Sequence, residues 1–185
     1  MRLILASASP RRRELIKKID GLEVEIIPSD VDEHSTAIDP VEYAKELAFI
    51  KATDVLRKAG GLVLGADTVV EIDGTVLGKP KTPIEADEML KKLCGKTHRV
   101  ITGICLACQE NVTTCAEISY VTFKNYDSGL VADYIASGSP FDKAGGYGIQ
   151  DDMIKAMTER VEGDLDNIIG LPVKKVENLL KQFRR

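Results

Sequence analysis

Hydrophobic and polar positions change period from block to block along the chain, and each block predicts an element. Arg2-Leu3-Ile4-Leu5-Ala6 is a short apolar run that reads as a buried strand. Ser9 then offers an N-cap with Pro10 at the first helical position, and the helix it opens carries Leu15, Ile16 and Ile19 on one face. Leu22 to Ile27 alternates like a strand. Asp39-Pro40-Val41-Glu42 is a capping box with Pro inside the first turn, opening a long helix that ends near Gly60-Gly61. Leu62 to Ala66 reads as a short buried strand. Val69 to Ile72 and Val76-Leu77 flank Asp73-Gly74, a strong hairpin signal. Thr82-Pro83-Ile84-Glu85 repeats the capping pattern, and its helix ends at Gly95. Arg99 to Cys108 and Thr113 to Phe123 read as long strands joined by a polar turn around Gln109-Glu110-Asn111. Asp127 or Ser128 caps a helix running through Ile135 to Ser137. The glycine-rich segment Ala144 to Gly148 follows, and a last helix starts at Pro172 and runs through Val176, Leu179 and Leu180. Helices between strands predict an α/β fold, and the two hairpins predict a mixed sheet rather than a purely parallel one.

Composition narrows the function. With 185 residues the chain makes one domain, or two lobes sharing a core, and no repeat or low-complexity linker divides it. It is 44% hydrophobic and 29% charged, ordinary for a soluble globular protein. The net charge of −4 argues against a general polyanion binder. An aromatic content of 5% with no Trp gives few stacking platforms, which argues against a single-stranded nucleic-acid binder. No apolar run is long enough to span a membrane, and the apolar stretch at the start is too short for a signal peptide, so a cytoplasmic protein is expected. Cys105 and Cys108 form one C-x-x-C, but no second pair or His cluster completes a zinc site, so reduced structural thiols are expected.

Several constellations carry chemistry. Ser7-Ala8-Ser9-Pro10-Arg11-Arg12-Arg13 places hydroxyls and cations where a strand hands over to a helix N-terminus. Arginines are unfavourable there for the helix dipole, and a bound anion resolves the conflict. Lys51 falls on the stripe of Ala44, Leu47, Ala48 and Val55, so it either meets an anionic partner or snorkels at the stripe's edge. Asp67 interrupts the apolar run from Leu62 to Val70 at a strand end, with Thr68 beside it. Its burial calls for a cation, a metal or backbone N–H groups. Asp30-Val31-Asp32-Glu33 supplies hard oxygen ligands suited to Mg²⁺ or Mn²⁺, although an acidic loop alone is a weak signal. Gly78-Lys79-Pro80 pins a lysine between turn residues, and Asp142 to Gln150 is rich in glycine that lets backbone approach a ligand. Cations and carboxylates without a Ser or Cys nucleophile framework point to metal-assisted chemistry on a phosphorylated substrate.

These segments, in this order, resemble the Maf family of nucleoside triphosphate pyrophosphatases. The matching pieces are Ser7-Ala8-Ser9-Pro10-Arg11-Arg12, Asp32-Glu33, Lys51-Ala52, Gly65 to Val70, Gly78-Lys79-Pro80, Thr97-His98, Thr102-Gly103, Asp142 to Gln150, and Asn167 with Gly170-Leu171-Pro172. The resemblance implies a mixed twisted sheet with flanking helices, two lobes around a central cleft, similar to inosine triphosphate pyrophosphatases. It also implies a divalent cation (Mg or Mn) and a homodimer. Arg11, Thr68 and Gln150 match the dTTP/UTP branch, while Asp151-Asp152 stand where family members usually continue with Gly. Those added carboxylates bear on metal binding or base choice.

The implied reaction cleaves the α–β phosphate bond of dTTP or UTP, and of modified pyrimidine nucleotides, giving a monophosphate and pyrophosphate. In it Asp67 and Glu33 are catalytic and hold the metal, with Asp67 or Glu33 taking the proton. Lys51, Lys79 and Arg11 or Arg12 hold the triphosphate alongside Ser7 and Ser9, and Thr68 and Gln150 read the base. The competing expectation is a nucleotide-binding regulator without turnover.

Overall fold

Leu3 and Leu5 leave the first strand on one side, and Ile4 and Ala6 leave it on the other, each pair joining a separate apolar cluster. That period of two sets the layers on either side of the strand. The computed structural model describes residues 1–183. Its elements are β1 (Arg2–Leu5), α1 (Pro10–Ile16), β2 (Glu23–Ile26), α2 (Pro40–Ala59), β3 (Val63–Ile72), β4 (Thr75–Leu77), α3 (Pro83–Leu93), β5 (Thr97–Ala107), β6 (Val112–Phe123), α4 (Ser128–Ala136), α5 (Asp152–Met157), β7 (Thr158–Glu162), α6 (Leu165–Ile169) and α7 (Val173–Phe183). The strands form one sheet in the order β2-β1-β3-β5-β6-β7, with β4 paired to β3. β1 runs parallel to β2 and β3, whereas β4 is antiparallel to β3 and β7 is antiparallel to β6. The fold is therefore mixed α/β. Among the described residues, no helix is long and apolar enough to cross a membrane.

The chain divides into two compact units, one of residues 1–68, 102–117 and 166–185, the other of residues 69–101 and 118–165. In the first unit, Leu3, Leu5, Leu64, Ala66, Ile104 and Leu106 pack with α1 and α7. On the opposite side, Ile4, Ala6, Val63, Cys105 and Ala107 pack with Ala48, Ala52 and Val55 of α2. Gly65 and Gly103 let that helix come close. A Cβ on Gly65 would lie 2.2 Å from the Ala48 carbonyl oxygen, and one on Gly103 would lie 2.2 Å from the Ala44 carbonyl oxygen. In the second unit, α3 buries Ala86, Leu90 and Leu93 and packs against α4, which buries Val131 and Tyr134.

The caps form as the sequence indicates. Asp39 accepts from the amides of Val41 and Glu42, Thr82 from Glu85, and Asp127 from Gly129 and Leu130. Three differences stand out. The expected short strand and first hairpin arm are one continuous strand, β3, so Asp67 sits inside it and not at its end. The carboxylate does not stop the strand because its charge is met there by a lysine. Parallel pairing with β1 nevertheless reaches only Leu64, and antiparallel pairing with β4 begins at Val70, so Asp67 lies where β3 changes partners. α1 ends at Ile16, and Ile19 is buried beyond its last turn. Finally, α5, β7 and α6 fill residues 152–169, where the hydrophobic pattern marks no element. All four cysteines are free, and burial pushes the Cys105 thiol up to about 12.

Candidate active site

The parity of β3 separates its two polar residues. Asp67 shares the side of Val63 and Gly65, which faces α2, whereas Thr68 shares the side of Leu64 and Ala66, which faces α1. Close approach of α2 at Gly65 then brings Lys51, one residue before Ala52, onto Asp67. Lys51 Nζ donates to Asp67 Oδ1 at 2.6 Å and lies 2.9 Å from Glu33 Oε2. The lysine and Asp67 side chains are each 12% exposed and Glu33 is 50% exposed, so one ammonium is gripped by a sequestered and a wet carboxylate. Of the two openings for Lys51, the anionic partner is the one realised.

Thr68 meets a second cation. The Arg12 guanidinium donates to Gly170 O at 2.8 Å, Thr68 Oγ1 at 3.0 Å and Ser7 Oγ at 3.3 Å. Burial pulls its pKa below the usual arginine range, partly offset by Asp67 and Glu33. The Thr68 hydroxyl also bonds Thr102 at 2.9 Å, and Thr102 donates to the Asn167 carbonyl at 3.0 Å. Ser7 is buried and accepts from the Ser9 amide at 3.2 Å, while Ser9 caps α1 through a long 3.5 Å contact with the Arg12 amide. Arg11, on the first turn of α1, is half-buried. The structure thus brings Ser7, Ser9, Arg12 and Thr68 into one network and Glu33, Lys51 and Asp67 into another, both in the first unit.

The acidic loop is divided. Glu33 reaches Lys51, Asp30 pairs with Lys58, and Asp32 is exposed. Asp54 on α2 accepts from Ser29 at 2.8 Å and from Lys58 at 3.0 Å, bonds that hold its pKa below the usual carboxylate range. Two carboxylates around Lys51 are hard donors of the kind that hold Mg²⁺ or Mn²⁺ together with waters and substrate phosphates. Among the described residues, no group of three or more His, Cys, Asp or Glu side chains offers an all-protein cage.

Lys79 and Gln150 belong to the second unit, and both are exposed. Their segments are joined there, because the Gly145 amide donates to Gly78 O at 2.9 Å. Gly145 has φ 69° and its absent Cβ would lie 2.9 Å from Val70 side-chain atoms, so glycine is required on both counts. The same loop carries Tyr147, whose hydroxyl shares a 2.7 Å hydrogen bond with His98 Nε2 in a ring cluster with Phe123. Among the described residues the buried His98 Nδ1 has no partner, and burial pulls the imidazole down to about 4.

That shift predicts acid sensitivity. The unfolded imidazole titrates near 6.5 and the folded one near 4. The unfolded chain therefore binds more protons between those values, so the stability from neutral His98 is full above pH 6.5 and lost as pH falls toward 4. Denaturant melts at pH 7 and pH 5 should show about 2 kcal/mol more loss in the wild type than in His98→Gln. Equal losses would refute the assignment.

The family model described as "Maf-like protein" matches residues 2–183. The chain belongs to the Maf family. Its relatives include the dTTP/UTP pyrophosphatase of Thermosipho africanus, 45% identical over 97% of this chain and 92% of the relative. The dTTP/UTP pyrophosphatase of Thermococcus onnurineus is 43% identical over 96% of this chain and 95% of the relative. A HAM1 protein from Coxiella burnetii shares the fold with TM-score 0.62 at 18% identity, covering 98% of this chain and 99% of that one. The Staphylococcus aureus Ham1 protein gives TM-score 0.53 at 14% identity, covering 68% and 73%.

Some polar partners in this Maf protein escape a reading of the sequence. Asp54 and Lys58 follow Lys51 by three and seven residues on one helical stripe, a spacing that signals a shared face. Glu71 is buried and holds Arg99 at 2.5 Å and the Gly74 amide at 2.6 Å, which no local pattern announces. The His98–Tyr147 pair joins residues 49 apart and leaves no signal in either segment.

Proposed function

We propose that the protein hydrolyses the α–β phosphate bond of dTTP and UTP, releasing the nucleoside monophosphate and pyrophosphate. The observation that carries this is the Lys51 ammonium between Asp67 and Glu33, at 2.6 and 2.9 Å, in a chain 45% identical to a dTTP/UTP pyrophosphatase.

A water oxygen attacks the α-phosphorus, the bond to the bridging oxygen breaks, and pyrophosphate leaves. The water's proton goes to Asp67. Asp67 suits this better than Glu33 because it is the less exposed of the two, and Lys51 fixes it through Oδ1. Lys51 holds both carboxylates in place. Arg12 with Ser7 and Ser9 gives a rigid positive wall at the start of α1, and Arg11 on the same turn contacts phosphate. Thr68, held by Arg12 and Thr102, reads the base together with Gln150. Lys79 and Gln150 take the roles the family resemblance implies, phosphate contact and base recognition. Glu33 and Asp67 would hold Mg²⁺ or Mn²⁺, which when bound lowers the pKa of water and neutralises phosphate charge. A cytoplasmic homodimer belongs to the same proposal, and sedimentation velocity checks its mass.

A panel of dTTP, UTP, CTP and 7-methyl-GTP, with Mg²⁺, Mn²⁺ or chelator, tests the activity through released pyrophosphate. Turnover of dTTP and UTP with a divalent cation is expected. Nucleotide binding without product would make the protein a regulator instead.

A further inference from the structure

We propose that Asp151 is a positioning residue that sets the placement of Gln150 by stapling a turn to Tyr134. Gly148 to Asp151 is a turn closed by the Asp151 amide donating to Gly148 O at 2.9 Å, with Ile149 and Gln150 as its central residues. Both ends of that turn meet a single hydroxyl. The Gly148 amide donates to Tyr134 Oη at 3.0 Å, and Tyr134 Oη donates to Asp151 Oδ2 at 2.7 Å. The phenol proton cannot point both ways. The Asp151 carboxylate, which can only accept, draws it, and this leaves a lone pair for the Gly148 amide.

Three further hydrogen bonds hold the staple. Ser139 donates to the same Oδ2 at 2.8 Å, and Lys143 donates to the Ser139 carbonyl at 2.6 Å and its hydroxyl at 3.0 Å. Gly148 has no room for a side chain here, since a Cβ would lie 2.7 Å from Lys143 Cε and 3.0 Å from Asp151 Oδ2. Tyr134 is 1% exposed, so its hydroxyl is a fixed point in the core of its unit. Burial, then the bond to Asp151, raises its pKa above the ordinary tyrosine range.

The side chain is also diverted from its local task. Asp151 occupies the N-cap of α5 yet makes no capping bond. An aspartate there ordinarily bonds the second or third helical amide. Asp152, by contrast, is 94% exposed and pairs with Lys155. The two acidic residues after Gln150 therefore differ in kind, and only Asp151 is tied to the turn.

This inference rests on the proposal that Gln150 contacts the substrate, and the test separates the two. Steady-state kinetics with dTTP are measured for Gln150→Ala, Asp151→Ala, Tyr134→Phe, Asp151→Asn and the Gln150→Ala/Asp151→Ala double variant. Gln150→Ala should raise KM about tenfold, as for loss of one good hydrogen bond. Asp151→Ala and Tyr134→Phe should each raise KM about fivefold with kcat within about twofold, since losing the placement of one binding side chain weakens binding and leaves Asp67 and Lys51 unchanged. Asp151→Asn, which still accepts from both hydroxyls, should restore most of the loss. The double variant should match Gln150→Ala alone, because the staple acts only through that side chain. A raised KM in Gln150→Ala with unchanged KM in both Asp151→Ala and Tyr134→Phe overturns the staple alone. An unchanged KM in Gln150→Ala overturns the role of Gln150 and the staple with it. Additive effects in the double variant also overturn it. Tyr134→Phe keeps the ring in the core, so the outcome does not hang on Asp151→Ala folding.

Discussion

Asp67→Asn should lower turnover of dTTP about 10²–10⁴-fold, the usual effect of removing a general base. That corresponds to about 3–5 kcal/mol of barrier. The amide cannot take a proton from water at neutral pH, and it is a poorer hard donor for a divalent cation. The substitution should leave the fold intact. Lys51 keeps Glu33 at 2.9 Å, and the Asn carbonyl oxygen is placed to accept from Nζ as Oδ1 does now. Pyrophosphate release should therefore collapse while the melting temperature moves little. Turnover close to wild type in a folded Asp67→Asn protein would remove Asp67 from the chemistry.

Gly65→Ala should strongly destabilise the first unit. The added Cβ would lie 2.2 Å from Ala48 O, 2.8 Å from Ala52 N and 2.9 Å from Ala52 Cβ. Two of those are backbone atoms inside the helix of twenty residues that spans Pro40–Ala59, so no side chain can rotate away. The helix must lift off β3, and overpacking of this kind costs about 3 kcal/mol. For a chain of this size that is a fall of roughly 10 °C in melting temperature. The displacement also separates Lys51 from Asp67, so activity should fall at temperatures where the variant is still folded. Gly129→Ala is the control. Its Cβ would meet only Asp127 Oδ1, at an ordinary 3.4 Å, and Ala there should leave the melt unchanged or raise it slightly. Equal melting of Gly65→Ala and wild type would refute the close contact.

The need for a partner was legible at Lys51 and at Asp67 separately, but not that each meets the other. A lysine on an apolar helical stripe and an aspartate in an apolar strand are each costly alone, and pairing is the cheapest solution for both. What the sequence could not supply was the strand's continuity. A charged residue in an apolar run looks like a boundary unless its counter-ion is known, and that counter-ion sits 16 residues earlier. β7 was illegible for a different reason. Thr158-Glu159-Arg160-Val161-Glu162 is mostly exposed and has no apolar alternation, and its pairing with β6 is what makes it a strand. α5 and α6, of six and five residues, are too short to show a helical period. The role of Asp151 was hidden because its partners Tyr134 and Ser139 lie 17 and 12 residues away, and because an aspartate before a helix reads as a cap.

The division of the chain also dictates an order of events during synthesis. The first unit opens at Met1 but includes residues 166–185, among them Val176, Leu179 and Leu180 of α7, which pack with Leu3, Leu5 and Leu15. The second unit is complete at Leu165. As the polypeptide leaves the ribosome N-terminus first, the unit that begins later can close earlier. Until α7 emerges, the α1-side faces of β1 and β3 lack part of their cover. That interval is the window in which a nascent chain of this protein exposes apolar strand surface to a chaperone or to another unfinished copy.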